Sequence, residues 1–223
     1  MKVLVVLAHP EPLSFNAAMA AEAVGTLRGA GHDVAFTDLY RKGFQPVSDR
    51  RNFRTLADPA YFKQQLEERH ATEIGAFAAD IEAEWELLRA CDLMIWQFPL
   101  WWFGLPAILK GWVDKVFAFE RVYGGSRGIY DTGYFRGRRA LLSLTTGGPP
   151  GAYDPDGFNG DLDAVLRPIQ RGILRFVGFD VLRPNVVFQP ARLDADLRIE
   201  ALEAWRERLA AIAAETPIEV GRY

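Results

Sequence analysis

The stretch VLVVLAHPEPLSFN, residues 3 to 16, decides the fold. Val3 to Leu7 is an unbroken run of β-branched residues and leucine, which suits a strand buried on both faces of a parallel sheet. A loop with two prolines follows at once, Ser14 stands as an N-cap, and the alanine-rich segment Ala17–Arg28 reads as a helix that Gly29 and Gly31 end. Asp33–Leu39 reads as a second strand, so the chain opens with a β-α-β unit whose crossover is right-handed and whose strands are parallel.

Beyond this unit the alternation continues. Phe44–Glu73 is polar and irregular, with a short helix near Pro59–Arg69, and Ile74–Ala90 has helical periodicity. Leu93–Phe98 is the third strand, and Ala107–Phe119 a helix with Pro106 at its first turn. Ala140–Thr145 is the fourth strand, Gly147–Gly160 a long Gly/Pro loop, and Leu162–Phe176 a helix. Phe179–Gln189 is the fifth strand and Ala195–Ala214 the last helix. The expectation is one domain over residues 1–223, a three-layer α/β fold. It is a flavodoxin-like, doubly wound, five-stranded parallel sheet of order 2-1-3-4-5.

The 223 residues carry a net charge of −3 and 49% hydrophobic content. No run of like charge offers a footprint for nucleic acid or an anionic membrane. The longest apolar stretch, Leu93–Leu105, is interrupted by Gln97, Pro99 and Gly104, so membrane insertion is not expected. Cys91 is alone and the N-terminal apolar run lacks a cleavage pattern, which points to the cytoplasm. His9, His32 and His70 lie far apart with no metal-ligand spacing. A small-molecule role remains.

In the expected topology, ligands sit at the carboxyl ends of strands 1, 3 and 4. Those ends carry HPEPLSFN, FPLWWFGLP and TTGGPPGAYDPDG, the three least ordinary loops of the sequence. The first leads into a helix N-terminus, where free N–H groups and the helix dipole favour phosphate, with His9 and Asn16 as added donors; a packed turn at His9–Pro10 is the alternative. The second places Trp101, Trp102 and Phe103 where a short polar turn would suffice, which fits a flat aromatic ligand, a dimer interface, or both. The third offers Thr145, Thr146 and the pair Gly147 and Gly148, where backbone can approach a ligand, with Tyr153 following.

No G-x-S-x-G elbow, Walker A lysine or G-x-G-x-x-G fingerprint occurs, and Cys91 lies in RACDLMI between helix and strand, where a small buried residue is expected. The absence of a protein group equipped for covalent chemistry points to a cofactor that carries the reaction, and a flavin suits the aromatic, glycine-lined site.

VLAHPEPLSFN, FPLWWFGLPAILKGWVDKVF, LSLTTGG and RPIQRGILRFVGF followed by DLRIEALEAWRERL together resemble the NAD(P)H:quinone oxidoreductases of the DT-diaphorase type, over nearly the whole chain. The resemblance implies FAD rather than FMN, NAD(P)H and quinone as substrates, two-electron ping-pong turnover, and a homodimer with sites at the subunit interface. It places His9, Phe15 and Asn16 at the pyrophosphate and ribitol; Pro99, Leu100, Trp101, Trp102 and Phe103 at the isoalloxazine; and Arg198 and Leu202 near the adenosine. Thr145, Thr146, Gly147, Gly148 and Tyr153 would border the pyrimidine side, with Tyr153, Asn159, Gly147 and Gly148 as catalytic positions. Trp102, Phe103, Tyr123 and Gly148 would meet substrate, Tyr123 as an aromatic gate.

The sequence departs from that pattern in three places. Asn159 stands where mammalian members have a histidine; GGSRG supplies glycine where a second gate tyrosine falls; and the sequence ends at Tyr223 without the longer members' tail, so a preference between NADH and NADPH is not inherited. Alternatives on the same scaffold are an azo- or nitroreductase, an ancillary subunit of a potassium efflux system, and a single-electron flavodoxin.

Overall fold

The computed structural model describes residues 1 to 222. The strands β1 (Lys2–Leu7), β2 (Asp33–Asp38), β3 (Leu93–Pro99), β4 (Arg139–Thr146) and β5 (Asp180–Val181) form a parallel sheet in the order β2-β1-β3-β4-β5, the flavodoxin-like order. A sixth strand, β6 (Asn185–Phe188), also pairs with β4. In the central register Leu7 lies beside Gln97, which lies beside Ser143, so the segments leaving β1, β3 and β4 emerge next to one another.

The sheet is covered on both faces, and alternation along each strand decides which side chains go where. Val3, Val5 and Leu7 of β1 join Leu93, Ile95 and Leu141 against the helices α1 (Phe15–Gly29) and α6 (Ala195–Ala211). Leu4 and Val6 join Met94, Trp96, Phe98, Leu142 and Leu144 against α3 (Ala79–Ala90), α4 (Ala107–Val116) and α5 (Leu162–Ile169). Helix α2 (Gln64–Ile74) stands apart, in a small cluster formed by Phe53, Ala71, Phe77 and Ile81.

Five expected elements differ. The helices expected at Pro59–Arg69 and Ile74–Ala90 are instead α2 and α3, because Gly75, at φ 66, closes α2 in the left-handed conformation and the next helical residue is Ala79. Phe77 spends the interval pairing with Phe53. The strand expected at Phe179–Gln189 is broken into β5 and β6, since Leu182, Arg183 and Pro184 face only Leu141 and Leu142 of β4 and Pro184 has no N–H to donate. The helix expected at Leu162–Phe176 widens into a π-helical segment at Gln170–Arg175, just after Pro168, which cannot make its ladder hydrogen bond. Helix α4 ends at Val116 rather than Phe119, where Phe117 turns to φ −85, ψ 59.

Candidate active site

At the carboxyl ends of β1, β3, β4 and β6 lies a cleft of about 690 Å³. It is lined by His9, Phe15, Asn16, Pro99, Leu100, Trp101, Trp102, Thr145, Thr146, Gly147 and Arg198, which the three loops and the last helix supply. Ser14, Gln189, Pro190, Ala191 and Arg192 complete it.

The first loop ends in a capped helix. Ser14 Oγ accepts the Ala17 N–H at 3.1 Å, and no acidic residue occupies the first turn of α1. The start of a 15-residue helix, with its partial positive charge, therefore opens on the cleft. His9 Nδ1 accepts the Glu11 N–H at 3.0 Å, which leaves Nε2 as the ring's donor. Among the described residues no carboxylate lines the cleft, whereas Arg192 and Arg198 do, and neither pairs with an acidic side chain. A chain of net charge −3 has built a cationic site here.

The second loop turns sharply. Gly104 N–H donates to Trp101 O at 3.0 Å across Trp102 (φ 51) and Phe103 (φ 57), a type I′ turn made by two bulky residues. Left-handed backbone costs such residues about 1–2 kcal/mol each. The turn also leaves apolar side chains in the open: Trp102 is 98% exposed, Phe103 50% and Trp101 42%. The loop is tied to its neighbour by Leu100 N–H, which donates to Thr145 O at 2.8 Å.

The third loop follows β4. Thr146 Oγ1 donates to Gly148 O at 2.8 Å, and Gln189 Nε2 donates to Gly147 O at 3.1 Å, holding the loop from both sides. The backbone N–H groups of Trp102, Phe103, Gly147 and Gly148 donate to nothing among the described residues. Gly148 sits where a side chain would crowd its neighbours: a Cβ there would lie 3.0 Å from both Asn159 Nδ2 and Tyr153 Cε2, which would have to give way. That closeness brings Tyr153 and Asn159 together beside the glycine pair. The Tyr153 ring is buried against Phe188, its hydroxyl bonded to no described residue, and the cap of α5 is Asp161, which leaves the Asn159 side chain free of a capping role.

Beneath the cleft floor runs a buried polar chain. Gln97 Nε2 donates to Asn16 Oδ1 at 2.8 Å, and Asn16 Nδ2 donates to Thr145 Oγ1 at 2.9 Å. Gln97 Oε1 is buried without a partner among the described residues, a burden of about 1–3 kcal/mol.

The remaining sequence-derived positions lie elsewhere. Phe103 and Gly148 adjoin the lining, and Leu202 packs into the core under α6. Tyr123 lines a different cavity, of about 430 Å³, with Phe176 and Glu68. A third cavity, of about 870 Å³ between α1 and β2, shares only His9 with the cleft.

Sheet order and a cleft at these strand ends define a flavodoxin-like protein, and the family described as flavodoxin-like fold is matched by residues 1–209. Within it, the chain is 42% identical over 218 residues to NAD(P)H dehydrogenase [quinone] 1 of Rattus norvegicus, covering 97% of this chain and 79% of the relative. It is 42% identical over 222 residues to ribosyldihydronicotinamide dehydrogenase [quinone] of Homo sapiens, covering 97% and 94%. A Klebsiella pneumoniae structure described as a quinone reductase superposes with a TM-score of 0.92 at 39% identity, over 98% of this chain and 87% of that one. The chain belongs to this family of flavodoxin-like quinone dehydrogenases.

Proposed function

We propose that the cleft holds FAD and that the protein is an NAD(P)H:quinone oxidoreductase, working as a cytoplasmic homodimer. The observation that carries this reading is the donor set of the cleft. In and beside the cleft it combines an aromatic turn, a helix N-terminus and, among the described residues, four backbone N–H groups without acceptors and two arginines without an acidic partner, with no carboxylate in the lining. That set suits a flat, heteroatom-rich ring joined to phosphates. Two guanidinium groups beyond the helix end favour the dinucleotide FAD over FMN.

Bound flavin would supply the two-electron chemistry, accepting hydride from NAD(P)H and passing it to a quinone. The chain's own part is to bind, orient and balance charge. Leu100, Trp101, Trp102 and Phe103 provide apolar surface for the ring system, Phe15 and Asn16 N–H groups with Arg192 and Arg198 hold phosphate, and the Gly147 and Gly148 N–H groups meet ring heteroatoms. Tyr153 offers a hydroxyl donor where negative charge develops, and Asn159 an amide that cannot take up a proton. The exposed Trp101, Trp102 and Phe103 support a second subunit as their cover, and Tyr123, outside its own chain's cleft, gates substrate only from that subunit. The relatives' names favour quinone acceptors over the azo, nitro and efflux-subunit readings.

The test is the absorption spectrum of the purified protein, identification of the released flavin, and its bleaching by NAD(P)H and recovery with a benzoquinone. Parallel initial-rate lines are expected. A protein that binds neither FAD nor FMN refutes the proposal.

A further inference from the structure

We propose that Gln97 is a positioning residue that sets the hydrogen-bond polarity of the flavin site by fixing the amide of Asn16. The proposal rests on the flavin reading above. Gln97 is the one polar side chain of β3, a strand whose other residues are apolar and buried on both faces, and it is itself 1% exposed. Its Nε2 donates to Asn16 Oδ1 at 2.8 Å.

That bond decides the direction of the whole chain. With its carbonyl oxygen committed to Gln97, Asn16 must turn its NH₂ toward Thr145, whose Oγ1 accepts at 2.9 Å. Thr145 Oγ1, already an acceptor, is left with its O–H to donate, and Asn16 with its second N–H. Both residues line the cleft, so at this point the site receives donors and not the Asn16 amide oxygen. A reversed Asn16 would present a carbonyl oxygen among the cations and the helix N-terminus, against the charge of the phosphate-bearing ligand those groups attract.

The second observation is the unpartnered Gln97 Oε1. A residue chosen for the core alone would be an apolar one of the same volume, which would remove that orphaned acceptor. The glutamine stands where its Nε2 reaches Asn16, and Met19 Sδ, at 3.6 Å, is its only other near partner among the described residues.

The experiment is FAD titration, by quenching of flavin fluorescence, of the full-length flavin-free chain as wild type, Gln97→Met, Asn16→Ala and the double variant, with the melting temperature of each flavin-free protein. Methionine conserves volume and removes both the donor and the orphan acceptor. Gln97→Met is expected to weaken FAD binding about tenfold. It is expected to cause no further loss in the Asn16→Ala background and not to lower the flavin-free melting temperature. An unchanged affinity, an equal loss with and without Asn16, or a loss that tracks a lowered melting temperature overturns the role of Gln97. Wild-type protein that binds no flavin overturns instead the cofactor reading beneath it.

Discussion

Replacing Trp102 by asparagine should leave the flavin-free protein as stable as the parent or slightly more so, while weakening its hold on flavin. Trp102 sits at φ 51, followed by Phe103 at φ 57, and left-handed backbone costs a bulky residue about 1–2 kcal/mol. Asparagine enters that region with less strain and is favoured at this position of a type I′ turn. The indole is 98% exposed, so its removal forfeits almost no burial within one chain, which is what melts report when the flavin-free protein is diluted to dissociated monomer. The balance is a gain of about 0.5–1 kcal/mol from relieved strain. For a chain of 223 residues, that raises the melting temperature by roughly 1–4 °C. Against this, the lost aromatic face should weaken flavin binding by about 0.5–1.5 kcal/mol, or up to about tenfold. Calorimetric melts of the flavin-free proteins and flavin titrations measure the two effects separately. A melting temperature lowered by several degrees would show that the indole supports the fold, and unaltered flavin affinity would remove the functional reason for the strained turn.

Gly148→Ala should lower the flavin-free melting temperature through overpacking worth about 1–3 kcal/mol, because its Cβ would crowd Tyr153 and Asn159 at 3.0 Å; Gly147→Ala, which meets no atom within 4 Å, should not. Thermal melts of the two variants decide it. Tyr153→Phe should slow reduction of the bound cofactor by roughly tenfold or more, and leave stability unchanged, since the hydroxyl has no partner among the described residues; stopped-flow kinetics with normal flavin content is the check. Asn159→His should introduce a pH dependence of that step between about pH 6 and 8, where an imidazole titrates, over a parent profile that is flat there. Burial pushes the Cys91 thiol from 9.0 up to about 12, so above pH 9 the unfolded chain gives up a proton that the folded chain keeps. Stability from this source is intact below pH 9 and falls as the pH rises toward about 12. Urea titrations across that window should show the decline, and rapid alkylation of the native protein at pH 8 would contradict it.

The fold was readable because its signals are local and redundant. Val3–Leu7 and Leu93–Phe98 are apolar on both faces, which only a covered parallel sheet explains, and the helix between β1 and β2 carries its own cap and stop. The errors fall where one residue outweighs a periodic pattern. Gly75 ends α2 although Ile81, Trp85 and Leu88 continue an apolar helical face beyond it. The extra residue before Asn185 divides the last strand while both pieces remain paired with β4. Pattern reports which face is buried; it does not report where the backbone changes conformation or register.

The same limit governs what was missed at the site. The loops after β1, β3 and β4 announce themselves by composition, but Gln189–Arg192 look like an ordinary connection to the last helix. They reach the cleft because Thr146 pairs with Phe188, so the chain leaving β6 runs beside Gly147, and Gln189 N–H donates to Thr146 O at 2.8 Å. Pro184 was the available signal: a proline inside a strand run argues for a break, and a break places a second strand end, with Arg192 just beyond it, at the ligand edge of the sheet. Gln97 gave a signal of another kind. In LMIWQFP six residues satisfy a doubly buried strand and one violates it, and a polar group that cannot reach water must be answering to a neighbour. Its neighbour is Asn16, 81 positions earlier in the chain, so no reading of either segment alone could supply the pair.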